Sequence, residues 1–154
     1  MKIQIEPCTV DPKDFIEFLY DNYYPYTWFK DEIELCSFLR VKTDEKTIGY
    51  VWFHYLCPEI IEYHMCIVRS YHGRWLGPRT VRHLMAYGHA SGARFALATS
   101  HSPRLKKLFG RLNIEFNGDI ALIDLQKDYN ELFQKAKNRT APSGPSAASA
   151  STSV

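Results

Sequence analysis

The stretch "RSYHGRWLGPRT", residues 69 to 80, carries Gly73 and Gly77, Arg69, Arg74 and Arg79, and no acidic residue. Before it, "EIIEYHMCIV" alternates as a central strand does. Ile61, Tyr63, Met65 and Ile67 take one face and Glu62, His64, Cys66 and Val68 the other. After it, "PRTVRHLMAYGHA" sets Val81, Leu84, Met85 and Gly88 on one helical stripe, Gly92 closes the helix, and "RFALATS" is the next strand. Strand, glycine turn, helix and strand make a crossover unit, which places its two strands parallel with a right-handed connection. Such a turn leaves peptide N–H groups unpaired around the loop and the first helical turn, and with the helix dipole they suit a pyrophosphate. The two glycines permit close backbone approach, and Arg69, Arg74, Arg79 and Arg82 are sources of charge-assisted bonds, Arg74 foremost beside Gly73. Not all four can face one site, and G-x-x-x-G spacing alone also serves ordinary turns.

Upstream, "IQIEP" reads as a short strand and "DPKDFIEFLYDNYY" as a helix capped by Asp11 or Thr9, with Phe15, Phe18 and Leu19 on its buried face. The aromatic stretch "YPYTWFKDEIELCSFL" ends in a shorter helix and walls either a cleft or a satellite hydrophobic cluster. "LRVKTDEKTIGYVWFHYL" is a hairpin turning at residues 43 to 46, with Ile48, Tyr50, Trp52 and His54 expected on one face. Downstream, "SPRLKKLFGRL" opens with a serine cap and a proline, and Leu105, Leu108, Phe109 and Leu112 share its inner face. "IEFNGDIALIDL" reads as two strands around Asn117-Gly118. Residues 128 to 137 read as a last short helix. The chain therefore divides into one mixed α+β domain over residues 1 to 138 and a low-complexity tail over 139 to 154. From Thr140 that tail is too poor in large side chains to offset its ordering entropy and is expected to be disordered.

The 154 residues suffice for one core. No run approaches the roughly 20 apolar residues of a membrane span, so no membrane partner is expected. The start lacks a secretory apolar run, which points to a cytoplasmic or virion location. Cys8, Cys36, Cys57 and Cys66 show no C-x-x-C spacing, and disulfides are not expected. The net charge of +2 conceals an asymmetry: residues 1 to 62 hold six Lys/Arg and twelve Asp/Glu, while residues 69 to 111 hold nine Lys/Arg and no acid. Either the segments neutralise each other on the folded surface, or the basic one forms an anion site. No metal is expected from histidine spacing: H-E-x-x-H is absent, and His83 and His89 lie on different faces of one helix. A P-loop and a G-x-S-x-G elbow are also missing.

The order of elements, with "VRSYHGRWLGPRT" and "SPRLKKLFGRLNIEF", resembles the GCN5-related N-acetyltransferase (GNAT) family over approximately residues 3 to 126. The resemblance implies a twisted mixed sheet flanked by helices, in which a splayed parallel strand pair admits the pantetheine arm of acetyl-CoA. It implies a pyrophosphate loop of pattern Arg/Gln-x-x-Gly-x-Gly/Ala, which runs here from His72 to Gly77. His72 stands at the Arg/Gln position, Trp75 at the first patterned glycine and Gly77 at the last; Gly73 matches a glycine often found inside the motif. Val68, Arg74, Leu76 and Ser102 complete the implied cofactor-binding set. Trp75 brings a ring where the family has bare backbone, free to turn outward, stack on adenine or block the site. Phe109 takes the place of the tyrosine that in many members protonates the departing thiolate, and it has no hydroxyl to do so.

Acyl transfer to an amine needs a base for the amine proton, and Glu62 and His64 project from the same strand face near the implied cleft. Each is a candidate base, and each equally suits a cross-strand polar pair that His54 completes. Three functions follow. One is acyl-CoA-dependent N-acyltransfer to a small-molecule or peptide amine in a ternary complex. Another is a non-catalytic GNAT-like module engaging protein partners or self-assembling, since "GARFALATSHSPRLKKLFGRLNIEF" also resembles GNAT-like phage virion proteins. The third is nucleic-acid binding through the basic helices, which would expose Arg79, Arg82, Lys106 and Lys107 on one face.

Overall fold

The computed structural model describes residues 1–44 and 46–126; the expected last helix and the tail lie outside them. The alternating segments pair into one six-stranded sheet in chain order: Ile3–Cys8 (β1), Ser37–Thr43 (β2), Lys46–Cys57 (β3), Ile60–Ile67 (β4), Phe95–Thr99 (β5) and Ile120–Asp124 (β6). Every neighbouring pair is antiparallel except β4 and β5, which the crossover makes parallel. Among the described residues four helices cover the sheet: Pro12–Asp21 (α1), Lys30–Glu34 (α2), Pro78–Ala90 (α3) and Pro103–Gly110 (α4). The expected caps form. The Asp11 carboxylate accepts from the Asp14 amide at 3.1 Å, and the Ser102 hydroxyl accepts from the Leu105 amide at 3.3 Å.

The two faces of β4 belong to different cores, as its period of two dictates. Ile61 packs with Val81, Met85, Phe109 and Ile123, and Ile67 with Trp75 and Leu84, under α3 and α4. Cys66 packs on the opposite face with Phe15, Leu19, Ile33 and Trp52, under α1 and α2. All four cysteines are free thiols.

Two expectations need correction. Ile48 does not share a face with Trp52. The register between β2 and β3 shifts from Val41↔Gly49 to Lys42↔Thr47, skipping Ile48, and this bulge sends its side chain into the core with Val41, Val51 and Ile67. The hairpin at Asn117-Gly118 also falls short of two strands. Among the described residues it is a single bridge, Asn117↔Ile120, and only β6 extends from it. Residues 114 to 116 instead close α4: Asn113 adopts φ 60°, the Ile114 amide donates to the Phe109 carbonyl at 3.0 Å, and Ile114 and Phe116 pack into the core. Burying those side chains wins over extending the ladder.

Candidate active site

Pairing between β4 and β5 covers only Ile60↔Phe95, Ile61↔Ala96 and Glu62↔Leu97. Beyond Glu62 the strands part, although β4 continues to Ile67 and β5 to Thr99. Beside the gap lies a cleft of about 860 Å³. Its floor includes Met65 and Ile67, one wall is the turn from His72 to Pro78, and the other is α4 with its cap residue Ser102.

The turn is held from within. After a single 3-10 turn at Arg69–Tyr71, Gly73 takes φ 76°, a conformation that favours glycine. His72 Nε2 lies 2.7 Å from the Ile67 carbonyl; that oxygen only accepts, so Nε2 carries the proton. Arg104 Nη2 donates to the Gly73 carbonyl at 2.7 Å, tying α4 to the turn across the cleft mouth. Gly77 caps α3 with extended backbone and no side-chain acceptor. Pro78 has no N–H, and the Val81 amide already bonds to the Gly77 carbonyl. The first-turn amides of Arg79 and Thr80 are thus left to solvent or a ligand.

Trp75 settles inward. It is 6% exposed, packed with Val41, Val51, Ile67 and Leu84 beneath the turn, and the cleft stays open beside it. The Thr80 hydroxyl donates to its carbonyl at 3.1 Å. His72, Gly73, Trp75, Leu76, Gly77 and Ser102 all line the cleft. Val68 and Arg74 do not, and Arg74 is exposed. The cations that do line it are Arg104, Lys107 and Arg111. In the sequence Lys107 stands only in the nucleic-acid reading and none of the three is placed at the cleft; their i, i+3 and i+7 spacing along α4 and its C-cap is the available signal.

Glu62 is the last β4 residue paired with β5, and it faces the side opposite the cleft floor. Glu62 Oε2 lies 3.4 Å from His64 Nε2 and 3.5 Å from His54 Nε2, reached across the strand pair by the register His54↔Glu62. The two imidazoles stack with ring centroids 5.3 Å apart, and Trp28 packs edge-on against His64 at 4.9 Å. Burial holds the His64 imidazole below its ordinary pKa, the Glu62 carboxylate opposing this and His54 adding to it. Trp28, Glu32, Leu35 and Tyr55 join the three polar residues around a pocket of about 510 Å³. The parted strands therefore separate a cationic cleft on one face from a carboxylate–imidazole pocket on the other.

Phe109 lies 6% exposed in the main core, edge-to-face with Phe116 at 5.7 Å, and among the described residues no tyrosine lines the cleft. The four basic residues expected of a nucleic-acid face divide. Lys106 is 2.6 Å from Asp119 Oδ1, Lys107 lines the cleft, Arg82 is half-buried and Arg79 is exposed.

A mixed six-stranded sheet with one parting parallel pair and flanking helices is the GNAT-like α+β fold. Solved acetyltransferases share it. A mutant form of the spermidine/spermine N-acetyltransferase SpeG from Vibrio cholerae superposes with a TM-score of 0.66 at 12% identity, covering 84% of this chain and 99% of that one. An N-acetyltransferase from Staphylococcus aureus Mu50 gives 0.56 at 15% identity, covering 81% and 99%. No protein-family model and no curated protein sequence matches the chain.

Proposed function

We propose that the protein transfers an acyl group, acetyl in the simplest case, from a CoA thioester to an amine. The observation that carries this reading is the parting of β4 and β5 at Glu62, beside a cleft rimmed by unpaired amides and cations. Gly73 to Gly77 and the first turn of α3 suit the pyrophosphate, with Arg104, Lys107 and Arg111 balancing phosphate charge. Bound acyl-CoA would supply the activated thioester. Past Glu62 the β4 edge has backbone N–H groups without a β5 partner, the kind of donor that stabilises a tetrahedral oxyanion. On the opposite face Glu62, directly or through water, takes the proton that an ammonium must lose before its nitrogen attacks. Attack forms the C–N bond and a tetrahedral adduct. As the adduct collapses the C–S bond breaks, the nitrogen gives its second surplus proton to water, and the thiolate takes a proton from solvent, because Phe109 has none to give.

The acceptor is a small-molecule or peptide amine. The pocket at Glu62 combines carboxylates with aromatic walls, and SpeG is named for amine substrates, spermidine and spermine. A cytoplasmic location suits this activity, because acetyl-CoA is available there. The test is release of CoA thiol from acetyl-CoA in the presence of a panel of primary amines. Amine-dependent release lost in Glu62→Gln supports transfer; no release with any amine, despite cofactor binding, overturns it. The burial of Phe109 favours one second reading, a CoA-binding module that does not catalyse, as in a virion or scaffold protein.

A further inference from the structure

His54, Glu62 and His64 offer one ligand atom each, all within 4.8 Å of one another. Four donors around zinc at roughly 2.0–2.1 Å stand about 3.4 Å apart along each tetrahedral edge. The contacts from Glu62 Oε2 to the two Nε2 atoms, 3.5 and 3.4 Å, match that edge. The same Glu62 oxygen is within reach of both Nε2 atoms, and the two rings lie within 7° of parallel. A single carboxylate oxygen between two imidazoles does not complete the hydrogen bonding of either ring. Of the three proposed ligand atoms, His64 Nε2 is buried with no hydrogen-bond partner. Outside the trio, the Tyr24 hydroxyl stands 3.5 Å from His64 Nδ1. With Nδ1–H donating to Tyr24, the Nε2 lone pair points at the trio, as a metal-ligating histidine requires. Trp28 and Trp52 pack against the His64 ring and fix its plane.

We propose that His54 Nε2, Glu62 Oε2 and His64 Nε2 bind a divalent transition ion, zinc by preference, with the fourth position open to water in the pocket of about 510 Å³. Two imidazoles and one carboxylate suit zinc and disfavour magnesium or calcium, which want more oxygen donors. The three ligands come from two antiparallel strands, so no linear spacing in the sequence reveals them. The site lies on the face of β4 opposite the cleft, and the proposal does not rest on the transfer reading. It adds a consequence to that reading: zinc and an ammonium substrate would compete for the same Glu62 oxygen.

The test titrates chelator-treated full-length protein with zinc chloride by calorimetry, and with cobalt chloride by visible absorption; neither contains acetyl-CoA. The expected result is one saturable equivalent with a tetrahedral cobalt spectrum. Glu62→Gln, His54→Gln and His64→Gln should each weaken binding at least about tenfold, while Cys57→Ser, which removes the exposed thiol, leaves it unchanged. Thermal melts establish that each variant is folded. Zinc should also raise the melting temperature of the native chain and not that of Glu62→Gln. No saturable binding, equal affinity in folded histidine variants, or loss only in Cys57→Ser would overturn the proposal.

Discussion

At the scale of single residues, Glu62 and Trp75 carry opposite kinds of burden. Glu62 sits at the last rung before the sheet opens, and under the proposed transfer its effect belongs in turnover. Glu62→Gln is expected to lower kcat by about 10²–10⁴, the usual span for a general base, with KM for acetyl-CoA unchanged. Steady-state kinetics checks this. Trp75 is enclosed by aliphatic side chains, and its effect belongs in stability. Trp75→Ala should cost about 3–5 kcal/mol in denaturant unfolding, the range for truncating a buried aromatic. A loss well under that would mean the ring makes little of its contact. That Glu62 and His64 share a face was legible in the sequence, because a strand's period of two assigns faces without further information. The fate of Trp75 was not, because the turn's backbone path decides between core and cleft, and local pattern does not encode that path. Arg74 illustrates the same limit: adjacency to a glycine left its direction open, and the cations facing the cleft come from α4.

At the scale of elements, the α3 helix fits the sheet through Gly88. A Cβ there would meet the Tyr63 hydroxyl at 2.8 Å and Ile61 Cδ1 at 3.2 Å, and that hydroxyl already donates to the Leu84 carbonyl. Alanine gains about 1 kcal/mol of helix propensity, whereas overpacking costs about 1–3 kcal/mol. Gly88→Ala should therefore unfold at lower urea concentration than the native chain. An increase would show that Tyr63 swings aside. Helix bounds and caps were legible, since Asp11-Pro12 and Ser102-Pro103 state them locally. The bulge at Ile48 and the truncated hairpin at Asn117 were not. Both arise where core packing overrides local pattern, pulling Ile48 through the sheet plane and holding Ile114 and Phe116 against Phe109.

At the scale of the whole molecule, the uneven charge along the chain becomes an uneven pair of sheet faces. Glu32 and Glu62, from the acidic first half, line the pocket on one face, while α4 presents its cations to the cleft on the other. Opposite fields on the two sides of a parted strand pair would draw a polyanionic donor from one face and a cationic acceptor from the other. The measurement that tests this most directly is calorimetric titration of acetyl-CoA into the native chain and Gly77→Asp. Gly77 has extended backbone and no atom within 4 Å of a built Cβ, so aspartate fits without strain and can cap α3. The expected outcome is saturable binding by the native chain and affinity at least about tenfold weaker in the variant, at an unchanged or higher melting temperature. Equal affinity in both proteins, or no binding by the folded native chain, would contradict the assignment of this turn to a phosphate-bearing cofactor.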